Sequence, residues 1–217
     1  MKILALEFSS ARRTVAVVVD GQVRGRTQET GTRETRALSS IETALDAAGL
    51  EREHVDCLAV GLGPGSYTGI RSAIALAQGW QLARGTKILG ISSIESLAAQ
   101  ARVEEIYGRV NLVIDAQRNE FYLARYEVSD SGCREVTPLC LAGREEVLTL
   151  VRAGETVLGP EVTSEWPAAR QLFPDAAMVG QLASQRTDFV PGERLEPIYL
   201  RETRFTKAPP PRIIPAV

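Results

Sequence analysis

An α/β fold of two similar lobes is what this sequence of 217 residues predicts. Three observations carry the prediction. Short runs rich in Val, Ile and Leu alternate with stretches whose apolar residues repeat at a helical period. The order strand, strand, strand, helix, strand, helix occurs twice, and the second copy starts near the middle of the chain. Composition is that of an ordinary globular protein, with 44% hydrophobic and 24% charged residues, and the length suffices for a core without disulfide or metal staples. One long repeated supersecondary unit predicts paired lobes rather than a solenoid, whose periods are about 20–50 residues. The lobes are expected at residues 1–104 and 105–217.

Taken in order, residues 3–8 are a short apolar run that reads as a buried strand. Residues 14–20 are β-branched and end at Asp20-Gly21, a hairpin turn pair, with the return strand at 22–29. From 36 to 50 the period changes: Leu38, Ile41, Leu45 and Ala48 fall on one stripe of an amphipathic helix, which Gly49 would end. Residues 55–62 are again a buried strand and lead into Gly61-Leu62-Gly63-Pro64-Gly65. A helix over 68–84, with Ser66 or Thr68 as cap, precedes a strand at 87–91 and a third helix, capped by Ser92 or Ser93, running through Gln100.

In the second half, residues 110–115 correspond to 3–8, and 120–128 and 133–141 pair around Ser129-Asp130-Ser131-Gly132. A helix at 144–153 and a strand at 156–158 follow, with further helical stretches near 163–171 and 180–186. The tail Ala208-Pro209-Pro210-Pro211-Arg212-Ile213-Ile214-Pro215 is neither helix nor central strand. It reads as an extended polyproline segment, loose or laid on a partner.

Composition excludes several function classes. Lys plus Arg number 25 against 27 Asp plus Glu, a net charge of −2, which argues against a free-standing nucleic-acid binder but not against RNA contact within an assembly. Cys57, Cys133 and Cys140 are odd in number and lack paired spacing, so a reducing compartment is expected rather than a disulfide framework. The single histidine, His54, removes every metal site or relay that needs two imidazoles, and its setting, Glu51-Arg52-Glu53-His54, reads as an exposed turn. The first residues are too short an apolar stretch for a signal peptide, and no segment approaches the ~20 apolar residues that span a bilayer. A cytoplasmic location is expected.

Two places could carry chemistry. The first strand of each half ends in an acid, Glu7 and Asp115. In a two-lobed fold that splits nucleotides, these positions would hold magnesium water beside the turns at 9–13 and 116–119, in a cleft between the lobes. Neither turn contains glycine, so its amides approach a phosphate less readily. The other reading is that both acids end strands and accept local hydrogen bonds. The glycine-rich turn joins a strand to a helix start, where free amides hold anions, yet it has neither Gly-Lys-Ser/Thr nor Gly-x-Ser-x-Gly. Its glycines would otherwise serve backbone packing.

The helix behind that turn is a candidate binding surface. Between 68 and 84 only Arg71 and Arg84 are charged, and apolar residues surround the axis. A helix of this kind is covered on more than one side, either by a second chain or by the second lobe. Ala73, Ala77 and Gly79 permit close approach. With the helix at 36–50 it predicts a protein–protein interface that, if specific, buries on the order of 1,200–2,000 Å².

Four stretches carry a family resemblance. Ile3-Leu4-Ala5-Leu6-Glu7-Phe8-Ser9-Ser10 resembles the opening of the TsaB (YeaZ) family, and Gly63-Pro64-Gly65-Ser66-Tyr67-Thr68-Gly69-Ile70-Arg71 is similar to that family's most specific motif. Ile114-Asp115-Ala116-Gln117-Arg118-Asn119-Glu120-Phe121-Tyr122 looks like its mid-chain motif and Pro197-Ile198-Tyr199-Leu200-Arg201 its closing one. The resemblance implies an actin/Hsp70/sugar-kinase-like (ASKHA) fold of two lobes. It also implies a noncatalytic, cofactor-free subunit in making threonylcarbamoyladenosine next to the anticodon of tRNA. Implied partners are the catalytic subunit TsaD, bound through first-lobe helices, the ATPase TsaE, and tRNA through the complex, with a homodimer when the chain is alone. TsaD holds its metal through histidines, which a chain with only His54 lacks. Two departures stand out: Glu7 where the family often has Asp, and Arg33 where it usually has His.

The interface is expected on Leu38, Ile41 and Leu45 of the first helix and on Ser66, Tyr67, Ile70, Arg71, Ile74 and Ala77 of the second. Ile74→Glu is expected to abolish pairing and leave the lobe folded. The alternative is an ATP-dependent small-molecule kinase or ATPase using Glu7, Asp115 and the turn at 63–65. No nucleophile–base pair in the sequence supports a peptidase.

Overall fold

Two five-stranded mixed sheets of identical topology form the frame. The computed structural model describes residues 1–31 and 36–200. Arg33 and the proline-rich segment at 208–215 lie outside the described residues. The first sheet is built from β1 (Lys2–Glu7), β2 (Arg12–Val19), β3 (Gln22–Thr30), β4 (Cys57–Gly61) and β5 (Lys87–Ile91), in the order β3-β2-β1-β4-β5. The second uses β6 (Gly108–Asp115), β7 (Glu120–Ser129), β8 (Gly132–Gly143), β9 (Thr156–Gly159) and β10 (Arg170–Gln171), ordered β10-β9-β6-β7-β8. Three strands run antiparallel as a meander in each sheet, and the remaining two join parallel to the first strand. This repeated topology is the two-lobed α/β fold of the actin/Hsp70/sugar-kinase class.

Among the described residues six helices cover the sheets: α1 (Ala37–Ala48), α2 (Tyr67–Arg84), α3 (Ser93–Val103), α4 (Arg144–Arg152), α5 (Val162–Glu165) and α6 (Ala176–Ala183). Because strand side chains alternate between faces, each apolar strand feeds two cores. On one face of the first sheet Leu4, Leu6, Val15, Val17, Leu58 and Val60 pack with Ile41 and Leu45 of α1 and Ile70 and Ala73 of α2. On its other face Ile3, Ala5, Val18, Ala59 and Ile91 meet α6. The second sheet is covered on one face by α3, through Ile94, Leu97 and Ala101, and on the other by Val147 and Leu150 of α4 with Trp166. Thus α3, from the first half, packs on the second sheet, whereas α6, from the second half, packs on the first, and the two helices touch between the sheets.

Local departures from the sequence reading have identifiable causes. The helix expected at 163–171 is a single turn, because Trp166 precedes Pro167 and takes an extended conformation instead of an α one. The last helix begins earlier, at Ala176, where the Asp175 carboxylate accepts a hydrogen bond from the Ala177 amide (2.9 Å). The glutamate-rich stretch at His54 is an exposed single turn, Arg52–His54. All three cysteines are free. No helix among the described residues is long and apolar enough to cross a membrane.

Candidate functional site

Glu7 ends β1 and is fully buried, at 0% exposure. Its Oε1 accepts from the Ser9 amide (2.8 Å) and its Oε2 from Ser93 Oγ (2.8 Å), while Ser93 Oγ accepts from the Gly63 amide (3.1 Å). Ser93 therefore braces the carboxylate and does not cap α3; Ser92 holds the cap position, without a side-chain bond. Loss of hydration on burial pushes the Glu7 carboxyl above its usual range. The hydrogen bonds from Ser9 and Ser93 pull it partly back, and the Asp175 charge adds to the rise. A group this enclosed has no path to a hydrated metal ion.

Asp115, at the corresponding end of β6, is exposed, and its two oxygens accept from the Gln117 amide (2.7 Å) and Nε2 (2.9 Å). Both strand-end acids thus accept local hydrogen bonds, in agreement with the structural alternative. The turn after Asp115 holds Gln117, Arg118 and Asn119 in the left-handed region, at φ 65, 60 and 61°, which is strained for residues other than glycine.

The glycine-rich turn packs against the first β-turn instead of cradling an anion. The Ser66 amide donates to the Ser9 carbonyl (2.6 Å), and β-carbons built at Gly65 and Gly69 would overlap the carbonyl oxygens of Ser9 and Phe8. Ser9 and Ser10 are buried as a result. Of the two candidate caps, Ser66 serves, with its Oγ accepting from the Gly69 amide (3.3 Å).

The structure divides the expected interface residues. Ile41, Leu45, Ile70, Ile74 and Ala77 lie in the monomer's own core, on the stripes of α1 and α2 that face the sheet. Ile74 is therefore an internal contact, and Ile74→Glu would disrupt the lobe instead of leaving it folded. Leu38 (65% exposed), Tyr67 (58%) and Arg71 face outward, and Ser66 is half-buried.

Among the described residues the second half covers the outer side of α2 only in part. Part of it is held by the chain at 190–195, where Gln78 Nε2 donates to the Gly192 carbonyl (2.9 Å), Gln81 Oε1 accepts from the Gly192 amide (2.7 Å) and Leu195 joins the core. Thr68, Arg71, Ala75, Gly79 and Leu82, the last 90% exposed, remain uncovered by the described residues. Sequence reasoning by pattern missed Tyr199, whose ring stacks on Tyr67 at 5.5 Å with Arg71 over the Tyr67 face at 5.2 Å. Its only signal was membership of the closing motif.

A cavity of about 170 Å³ lies beside the second lobe's first turn, lined by residues such as Asp115, Arg118, Phe121 and Glu161, and it belongs to that lobe instead of opening between the two. Glu161 reaches across to the first lobe, where its carboxylate meets the Ala11 amide. Loss of hydration and the Asp115 charge push its carboxyl up, and the amide pulls it partly back. Among the described residues no three His, Cys, Asp or Glu side chains gather to hold a metal ion.

Comparison with known proteins agrees with these motifs. The sequence model of the family described as "TsaD: tRNA N6-adenosine threonylcarbamoyltransferase" matches residues 32–189. The chain is 29% identical to the tRNA threonylcarbamoyladenosine biosynthesis protein TsaB of Escherichia coli K12, covering 93% of this chain and 95% of that protein. It is also 29% identical to TsaB of Haemophilus influenzae, over 96% and 98%. A solved structure from Pseudomonas aeruginosa, described as an uncharacterized protein with similarity to peptidase YEAZ, superposes with a TM-score of 0.80 at 30% identity. It covers 92% of this chain and 99% of that one. By motif, topology and near full-length similarity, the chain belongs to this family, and within it to the TsaB (YeaZ) group.

Proposed function

We propose that this chain works in the biosynthesis of threonylcarbamoyladenosine in tRNA as an accessory subunit, docking a TsaD-type catalytic partner on the outer face of α1 and α2. TsaE joins that pair, tRNA is reached through the assembly, and the isolated chain pairs with itself through the same face. Near full-length similarity to TsaB proteins supports the pathway. The observation that carries the docking reading is the uncovered side of α2, where exposed Leu82 and Tyr67 flank the small residues Ala75 and Gly79, with Leu38 of α1 also outward. Exposed large apolar side chains, together with small residues that permit close approach, fit a surface that a partner covers.

The test is co-purification with the TsaD of the same cell, followed by size-exclusion chromatography with light scattering. Leu38→Glu and Tyr67→Ala are each expected to weaken pairing at least about tenfold, the loss of roughly 1.4 kcal/mol or more, with the Leu38→Glu monomer still folded by circular dichroism. Stoichiometric co-purification of the double variant would sink the reading.

The competing kinase or ATPase reading needs an open phosphate turn after β1. That turn is buried under the glycine-rich loop at Ser9 and Ser10, and the Glu161 carboxylate sits on the Ala11 amide, where a phosphate oxygen would have to go. Both features support a noncatalytic role. Micromolar binding of ATP with magnesium, with phosphate release, would favour the kinase reading instead. A peptidase finds no support either: the exposed His54 contacts Glu51, and Ser93 is fully buried against Glu7.

A further inference from the structure

The cavity in the second lobe has a charge pattern that the docking role does not use. Its apolar floor is Phe121 and Val162, both buried. Charged side chains form the rim, and they fall into three groups. Arg144 is neutralised by Glu165 and lies over Trp166. Asp115 and Glu161 are neighbouring carboxylates whose contacts are amides: Gln117 for the first, Ala11 for the second. Arg118 makes no ion pair or hydrogen bond among the described residues. It is held at φ 60° in a turn of three consecutive left-handed residues, a conformation that an arginine seldom takes and that tends to mark sites with a task.

One cavity thus presents an unneutralised carboxylate pair and an uncompensated guanidinium. A divalent cation would satisfy only the first, and an inorganic anion only the second. Nucleic acid is disfavoured because the three carboxylates on the rim outnumber the two arginines. A molecule carrying both charges on adjacent atoms satisfies both. Size agrees: a protein cavity of ~150 Å³ holds benzene, so about 170 Å³ suits a ligand of similar bulk. We infer that this cavity binds a small free α-amino acid, its carboxylate on Arg118 and its ammonium on Asp115 and Glu161, with a short aliphatic or hydroxylated side chain over Phe121. None of the residues on α1 or α2 lines this cavity, so its fate is independent of the docking surface.

The test is a nitrogen–proton NMR titration of the full chain with glycine, serine and threonine. N-acetylserine, which lacks the ammonium, and serine amide, which lacks the carboxylate, serve as controls. Shifts confined to residues 115–121 and 161–165, with both controls weaker by about tenfold or more, are the expected result. Arg118→Asn, chosen because asparagine tolerates the left-handed region, and Glu161→Gln should each weaken serine binding about tenfold. The inference is overturned by any of three results: no amino acid shifts the spectrum at about 10 mM, the controls bind as well as serine, or both variants bind unchanged.

Discussion

Glu7 shows how one side chain can be legible in kind and illegible in role. Its place at the end of β1 follows from the apolar run before it, but its full burial depends on Ser93, 86 residues away, closing over it. The raised carboxyl has a thermodynamic consequence. The folded chain holds this proton more tightly than the unfolded chain, so the linked stabilisation is fully present below the ordinary glutamate range. It is lost as pH rises through the raised folded value. Glu7→Gln imitates the protonated form, with Ser93 Oγ turning from donor to acceptor. Wild type and variant are expected to melt together below about pH 4 and to diverge above it, with the variant the more stable. Parallel melting curves across the whole pH range would show that the Glu7 carboxyl is not raised in the fold. Tyr67 gives the converse case. Its exposure was expected, but its stack with Tyr199 joins residues 132 apart in sequence and belongs to tertiary structure alone.

Among the elements, α2 departs furthest from its sequence pattern. Counting Ala and Gly as apolar makes the helix look greasy all round, yet Ala75, Gly79 and Ala83 face outward, and the buried stripe is the ordinary one through Ile70, Ala73, Ile74 and Ala77. Ile74→Ala is accordingly expected to cost about 2–4 kcal/mol in denaturant unfolding. A β-carbon at Gly79 would touch nothing among the described residues. Gly79→Ala should therefore stabilise the isolated protein by about 1 kcal/mol. Gly79→Leu should do the same while blocking close helix approach, and a pairing assay separates the two effects.

Helix α6 rests on Asp175, which caps it, exchanges hydrogen bonds with Ser96 through its backbone, and pairs with Arg26 of β3, with Arg12 of β2 nearby at 3.9 Å. Asp175→Ala removes a cap and leaves a buried polar junction unpaired, an expected loss of about 3 kcal/mol read from the unfolding midpoint.

At the scale of the whole molecule, the exchange of α3 and α6 ties the halves together. A fragment of residues 1–104 would leave Ile3, Ala5, Val18, Ala59 and Ile91 without the helix that covers them. Each half expressed alone is expected to lack native circular dichroism and to gain it when the two are mixed; a folded, monomeric 1–104 would contradict this. The sequence by itself determined the first nine strands, the two principal helices, the repeated element order and the family, because strand and helix periods and turn residues are local properties; β10, at residues 170–171, falls in a stretch that reads as helical. It also located the two strand-end acids and the outward Leu38, Tyr67 and Arg71. Only the tertiary structure decided which face of α2 is free, that the first turn is sealed beneath the glycine loop, and that Arg118, Asp115 and Glu161 share one cavity. Periodicity reports that a face is apolar, whereas what lies against it depends on contacts between residues far apart in the chain.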